Sequence, residues 1–238
     1  MSTYVYGIAR SSHPGLPEKM GGIGDPAQPV RVLKHGALAA LVSDAPDDLR
    51  PKRRDLMAHQ NVLAEAGAGG AVLPMRFGGV SPDDDAVLTV LSEREEHYLE
   101  RLRALDDKVE YNVKASHDEE AVLHRVLADN PELRKLSEAN RAAGGGTYEQ
   151  KIALGERVAA AVQQRESGDA VLIQQTLETE AADLRPGPES GGWLANISFL
   201  VDRERADSFV AAIDSFQKTH THLVLQVNGP LPPYSFVE

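Results

Sequence analysis

Val72-Leu73-Pro74-Met75-Arg76-Phe77-Gly78 is the stretch around which this chain is organised. It follows a helical pattern that frays into Gly67, Gly69 and Gly70, and it precedes Ser81-Pro82-Asp83-Asp84-Asp85, a strong helix start. A short apolar run between two helices reads as a buried strand. Pro74 has no N–H to give a ladder, so the strand belongs at an edge, an end or a bulge. Pro74 also biases Leu73 toward extended backbone. Arg76 leaves this apolar segment between Met75 and Phe77, so it either finds a partner or lies at a rim. The plainer reading is a strand end capped by an arginine; the sharper one is a ligand-facing guanidinium.

Working outward on the N-terminal side, Thr3 to Ala9 mixes valine, isoleucine and tyrosine and reads as a strand, and His13 to Pro29 is a loop dense in Gly and Pro. Val30 to Lys34 and Ala37 to Ser43 flank His35-Gly36 and predict a hairpin with its positive-φ position at Gly36. Pro51 to Ala66 carries Leu56, Leu63 and Ala66 at near-helical spacing, with Lys52, Arg53 and Arg54 in the first turn, where the helix dipole disfavours them. That cluster is a solvated face or a landing point for a partner's carboxylate. On the C-terminal side, Ser81 is the expected N-cap, Pro82 the first helical residue, and Leu88, Leu91, Tyr98, Leu102 and Leu105 predict one helix ending near Asp106. A domain boundary is placed there, giving domains 1–106 and 107–238.

In the second domain, Lys108 to Ala115 alternates, with Val109, Tyr111, Val113 and Ala115 on one face and Lys108, Glu110, Asn112 and Lys114 on a wet one. Ser116 with Glu119 predicts a capping box, and Asn130-Pro131 breaks the helix that follows. Glu132 to Ala142 is weakly helical and ends at Gly144-Gly145-Gly146. Thr147 and Gln150 form a second capping box, from which helical spacing runs from Tyr148 to Leu184 with Gly168 as a soft point. A continuous helix of that span is about 55 Å long. Arg185 to Gly192 reads as a loop, Trp193 to Val201 as a strand, Asp202 as the cap of a helix carrying Phe209, Ile213 and Phe216, and Thr221 to Val227 as a final strand. The tail, Asn228-Gly229-Pro230-Leu231-Pro232-Pro233-Tyr234-Ser235-Phe236, is apolar and proline-stiffened, so it is expected to pack or dock. Strands interleaved with helices at these lengths predict an α+β fold of two domains, each a modest sheet with helices packed on it.

Composition narrows the function classes. The net charge of -11 argues against a nucleic-acid binder or a protein held on anionic lipid. Zero cysteines remove disulfides, thiol catalysis and thiolate metal sites. The opening Met1-Ser2-Thr3-Tyr4-Val5 lacks a basic segment followed by an apolar core, and no run approaches the roughly 20 apolar residues of a membrane span. A soluble cytoplasmic protein is therefore expected. Gly22-Ile23-Gly24-Asp25-Pro26-Ala27 matches a dinucleotide fingerprint in letters only, since no strand feeds it and Pro26 lies within it. His220 and His222 share a strand face at metal-binding spacing without an evident third ligand, and read as exposed edge histidines. No catalytic, cofactor or metal residues are assigned. Unusual apolar surfaces remain at Leu73, Pro74, Met75, Arg76 and Phe77, along the long helix, and at Pro230, Pro232, Pro233, Tyr234 and Phe236.

Three segments together resemble the gas vesicle protein GvpF/GvpL family: residues 72–78, Glu110-Tyr111-Asn112-Val113-Lys114, and the terminal run from Asn228 to Phe236. The Tyr148 to Gly155 segment, with Lys151 and Gly155, is similar too. The resemblance implies two domains related to the ferredoxin-like fold; no enzyme is read from the residues, since no catalytic combination stands out among them. It also implies an accessory role in gas vesicle assembly, in the cytoplasm and at the vesicle, with the small hydrophobic shell protein GvpA and other accessory proteins as partners. Two alternatives stay open: a minor structural component retained in the vesicle, and a small-ligand enzyme using the glycine loop at 144–146. Within the assembly role, Arg76 and the tail either meet a partner or clamp the chain's own domains.

Overall fold

A computed structural model describes residues 2–188 and 192–238, which form two compact units: residues 2–110 with 229–238, and the described residues of 111–228. In the first unit, β1 (Thr3–Arg10), β2 (Arg31–His35), β3 (Leu38–Asp44), β4 (Val72–Pro74) and β5 (Val80–Ser81) make one sheet. Its order is β2-β3-β1-β4, with β5 also pairing β1, and every pairing is antiparallel. The β2-β3 hairpin turns at Gly36 (φ 54°), as its sequence predicts. Pro74 does sit at a sheet edge, where its missing N–H costs no ladder bond. Gly7 lets β4 come close: a Cβ there would lie 2.8 Å from the Leu73 carbonyl oxygen.

Helix α1 (Arg53–Gly69) packs on β1 and β4. Its buried face is Asp55, His59, Val62, Leu63 and Ala66, while Leu56, expected on that face, is exposed. Helix α2 (Asp84–Glu93) packs on β2, β3 and β5, and α3 (Glu95–Ala104) on β1, β3 and β4. The single helix predicted here is interrupted at Arg94. Its start is also displaced: Ser81 pairs with Thr3 in the sheet, so Asp83 takes over as cap and accepts from the Ala86 amide at 2.8 Å.

In the second unit, strands β6 (Lys108–His117, entering from the first unit), β7 (Asp183–Pro186), β8 (Ala195–Asp202) and β9 (Leu223–Leu231) form a sheet of order β7-β8-β6-β9. Its helices are α4 (Glu119–Asp129), α5 (Pro131–Ala142), α6 (Tyr148–Glu178) and α7 (Ala206–Thr219). Because β6 runs on to His117, Ser116 lies in the strand and Asp118 caps α4. Asn130 caps α5 with Pro131 in its first turn, and the Thr147–Gln150 capping box opens α6 as predicted. Helix α6 passes Gly168 without a break but stops at Glu178, so its 31 residues span about 46 Å. Leu184, read as helical, lies in β7, and so do the first residues of the predicted 185–192 loop; residues 189–191 of that loop lie outside the described residues.

Packing explains why α6 has little periodic burial. Asp169, Ile173 and Leu177 are buried in its last third, whereas its first half rests on α4 and α5 through Leu154, Ala161 and Val162 against Val122, Val126 and Leu133. Tyr148 at its start is 79% exposed. Helices α6 and α7 pack on β8, and Phe209 of α7 meets Tyr111 of β6 and Phe199 of β8 with ring centroids 5.3 and 5.4 Å apart. Among the described residues, no helix is long and apolar enough to cross a membrane.

Candidate functional site

The loop after β4 is held from behind by two side chains of the first unit. Leu73 is buried opposite Ile8 of β1, and Pro74 is buried opposite Gly7. The Met75 amide donates to the Tyr6 carbonyl at 2.8 Å. The Met75 carbonyl can only accept, and His59 Nε2 stands 3.0 Å from it, so this nitrogen carries the proton. His59 Nδ1 is then an acceptor for the Tyr4 hydroxyl at 2.9 Å, and the Tyr4 oxygen in turn accepts from the Gly78 amide at 3.3 Å. One continuous relay thus fixes both ends of residues 75–78.

Burial sets the protonation states in that relay. It lowers the pKa of His59, against the opposing hydrogen bond to Met75, and keeps the ring neutral. Burial likewise raises the Tyr4 and Tyr6 hydroxyls, which stay protonated. Phe77 closes the arrangement, lying 5.9 Å from the Tyr4 ring and 5.8 Å from His59 between centroids. Arg76, at the loop's apex, is exposed and makes no hydrogen bond or ion pair among the described residues.

The tail joins the same cluster. Pro233 and Phe236 are buried, Pro230 is exposed, and Pro232 and Tyr234 are half-buried. Tyr234 packs against the core that contains Tyr4, Tyr6 and Leu63; burial pushes its hydroxyl up to about 12, with the Glu110 carboxylate adding to the rise. Glu110, read from alternation as a wet-face residue, is 3% exposed. Its two oxygens accept from the Ser235 amide at 2.8 Å and the Ser235 hydroxyl at 2.7 Å. The predicted segments 73–77 and 230–236 therefore border one aromatic cluster, through Phe77 on one side and Tyr234 on the other.

Tyr4 and His59 were not singled out from sequence, and Glu110 and Ser235 entered only within segments that carry the resemblance, Glu110 also as a wet-face residue, with no site role. His59 carried a signal: it falls four residues after Asp55 and four before Leu63, on the inward face of α1. The basic cluster of α1 is partly occupied, since Arg54 pairs with Asp25 at 2.6 Å and lies along Asp55. Burial alone would raise Asp55, but the Gly24 amide and Arg54 outweigh it and hold the carboxyl below its ordinary value. The His13–Pro29 loop is thereby pinned to α1, with its Ile23 fully buried in the core that also holds Val62, Leu63 and Ala66 of α1.

A second polar cluster lies in the other unit and corrects the reading of His222 as an exposed edge residue. His222 is buried, and its Nε2 stands 3.0 Å from Asp169 Oδ2 of α6; His117 Nε2, at the end of β6, is 2.8 Å from the same oxygen. Burial depresses the pKa of His222, against the pull of Asp169. His220 points elsewhere, stacked on Phe216 at 4.1 Å.

The family profile described as gas vesicle synthesis protein GvpL/GvpF matches residues 2–238. The chain is 88% identical over 238 residues to gas vesicle protein F of Streptomyces sp. (strain CB03234), covering 100% of each. Its fold resembles the crystal structure of GvpF from Anabaena sp. PCC7120 (TM-score 0.77, 24% identity, 100% of this chain and 98% of that one). It is similarly close to that of GvpF from Microcystis aeruginosa (TM-score 0.74, 22% identity, 100% and 99%).

Proposed function

This chain belongs to the gas vesicle synthesis protein GvpL/GvpF family, and we propose that it is an assembly accessory that binds the small hydrophobic shell protein GvpA. In this reading it works in the cytoplasm and at the growing vesicle, alone or with other accessory proteins. A shell subunit that is apolar on one side must be kept from associating before it adds to the wall. The observation that carries the reading is Arg76: an exposed guanidinium without a partner among the described residues, on a loop whose backbone is fixed by Tyr4 and His59. Fixing the loop in advance lowers the ordering cost of binding, and a guanidinium fork suits a carboxylate. Met75 and Phe77 flank it with partly exposed apolar surface, which favours a partner that is apolar with an acidic group at its rim.

The test is co-purification of GvpA with the wild-type chain and with Arg76→Ala. The expected result is retention by the wild type and at least about a fivefold loss in the variant, as for a charged contact at an interface. A wild type that fails to retain GvpA sinks the carrier reading. Equal retention by both chains removes Arg76 from it. Deleting the tail is a poorer probe, because it strips Phe236 and the Ser235 bonds from the first unit's own core.

A further inference from the structure

The His117, Asp169 and His222 side chains come from three separate elements, the end of β6, the last third of α6 and the turn before β9. Each is only 7% exposed. Their ligating atoms all lie within 4.8 Å of one another. The two histidine segments are tied together, since the Asp118 amide donates to the His222 carbonyl at 2.9 Å. Hydrogen bonding crowds the cluster onto one atom. Both imidazoles compete for one oxygen of Asp169, and His117 Nδ1 and Arg165 Nε are buried without a hydrogen-bond partner among the described residues. Arg165 stands beside the cluster, paired with Asp129 at 2.8 Å and with its Nε 3.4 Å from Asp169 Oδ2, so an ion bound there shares the carboxylate with a fixed cation.

We propose that His117, Asp169 and His222 form a binding site for a divalent transition-metal ion, Zn²⁺ being the best match. Two imidazoles and one carboxylate are a ligand set of borderline hardness, which suits zinc rather than calcium or magnesium. A tetrahedral ion with bonds of about 2.0–2.1 Å holds its donors about 3.3–3.4 Å apart. The two nitrogen-to-Oδ2 distances of 2.8 and 3.0 Å need to open by about half an ångström, and the two ring nitrogens, within 4.8 Å of each other, need to settle at the same spacing, both by side-chain rotation. On binding, each imidazole presents its Nε2 lone pair to the ion, and the single ring proton shifts from Nε2 to Nδ1. Three protein ligands leave one position for solvent. The ion would staple the last third of α6 to β6 and to the approach of β9, fixing the root of a helix whose other end carries exposed residues. This site is independent of the Arg76 surface.

The test uses the full chain freed of metal and titrated with Zn²⁺ in competition with a chromophoric chelator, followed by Co²⁺ absorption. Expected are one equivalent bound with a Kd below about 1 µM and a cobalt spectrum of tetrahedral intensity. The melting temperature should rise with zinc concentration. His222→Gln and His117→Gln should each weaken binding by at least about 30-fold in chains that keep their far-ultraviolet dichroism, whereas His220→Gln should leave it unchanged. A wild-type chain with no equivalent tighter than about 10 µM overturns the proposal. So does a His222→Gln or His117→Gln chain that binds as the wild type does; should either variant fail to fold, the wild-type titration still decides.

Discussion

The two units bury histidine in opposite ways. In the first, His59 has a partner on each nitrogen, the Tyr4 hydroxyl and the Met75 carbonyl, and its relay ends on the Gly78 amide. In the second, His117 and His222 share one carboxylate oxygen, and His117 Nδ1 has no hydrogen-bond partner among the described residues. A saturated network has its job inside the protein: it sets the position of a loop and leaves Arg76 on that loop exposed. The other converges two imidazoles on one carboxylate oxygen, the arrangement on which the proposed metal site rests. Buried polar groups are nearly always paired, which gives the contrast its weight.

The largest effect should come from the unsaturated side. Asp169→Ala removes the acceptor of both imidazoles and the neighbour of Arg165 in a buried setting, and should cost about 3 kcal/mol in a denaturant titration without added metal. A loss below about 1 kcal/mol would mean that the cluster contributes little to the metal-free fold, and the contrast between the two networks would weaken.

On the saturated side, His59→Leu keeps the volume but strands the Tyr4 hydroxyl and the Met75 carbonyl, so about 2 kcal/mol should be lost. The pH dependence has a definite sign. His59 and His222 both have native pKa values below the ordinary histidine value of about 6.5. As pH falls below that value, the unfolded chain takes up protons that the native chain resists, so stability drops on going from pH 7 toward pH 5. His59→Leu should flatten part of that slope, with His222 supplying a remainder. An unchanged slope would place His59 outside the acid sensitivity.

These side chains show where sequence reading stops. Local chemistry was legible: the Gly36 turn, the edge position of Pro74 and the Thr147–Gln150 capping box each depend on a few neighbouring residues, and each appears as expected. Glu110 was assigned to a wet face because alternation tells one face of a strand from the other, not what covers each. Its cover arrives from Ser235, 125 residues on. His222 looked like half of an edge pair for the same reason, since Asp169 and His117 lie 53 and 105 positions away, beyond any local pattern. Ser81 was misplaced because a helix-cap preference competed with strand pairing to Thr3, and the pairing won.

Ser235→Ala probes the tail with a smaller change. It removes the hydroxyl bond to Glu110 and keeps the amide bond, so the expected cost is about 1 kcal/mol, read as a lower urea midpoint at constant m-value. A change in m instead would indicate that the tail had detached and exposed Tyr234 and Phe236.

Arg76 should give the smallest stability effect of all, and that is its diagnostic value. It is exposed and unpaired among the described residues, so Arg76→Ala should alter stability by less than about 0.5 kcal/mol. The substitution leaves the Tyr4–His59 relay intact, because the relay grips only the Met75 carbonyl and the Gly78 amide. Any loss of partner binding then belongs to the guanidinium rather than to a displaced loop. Arg76→Lys sharpens the point: it restores the charge without the planar fork, so it should recover part of the binding, with a steeper fall as salt is added. Full recovery would show that charge alone is read there. A stability loss above about 1 kcal/mol in either variant would mean that Arg76 serves the fold, and the division between a saturated scaffold and a free binding residue would no longer hold.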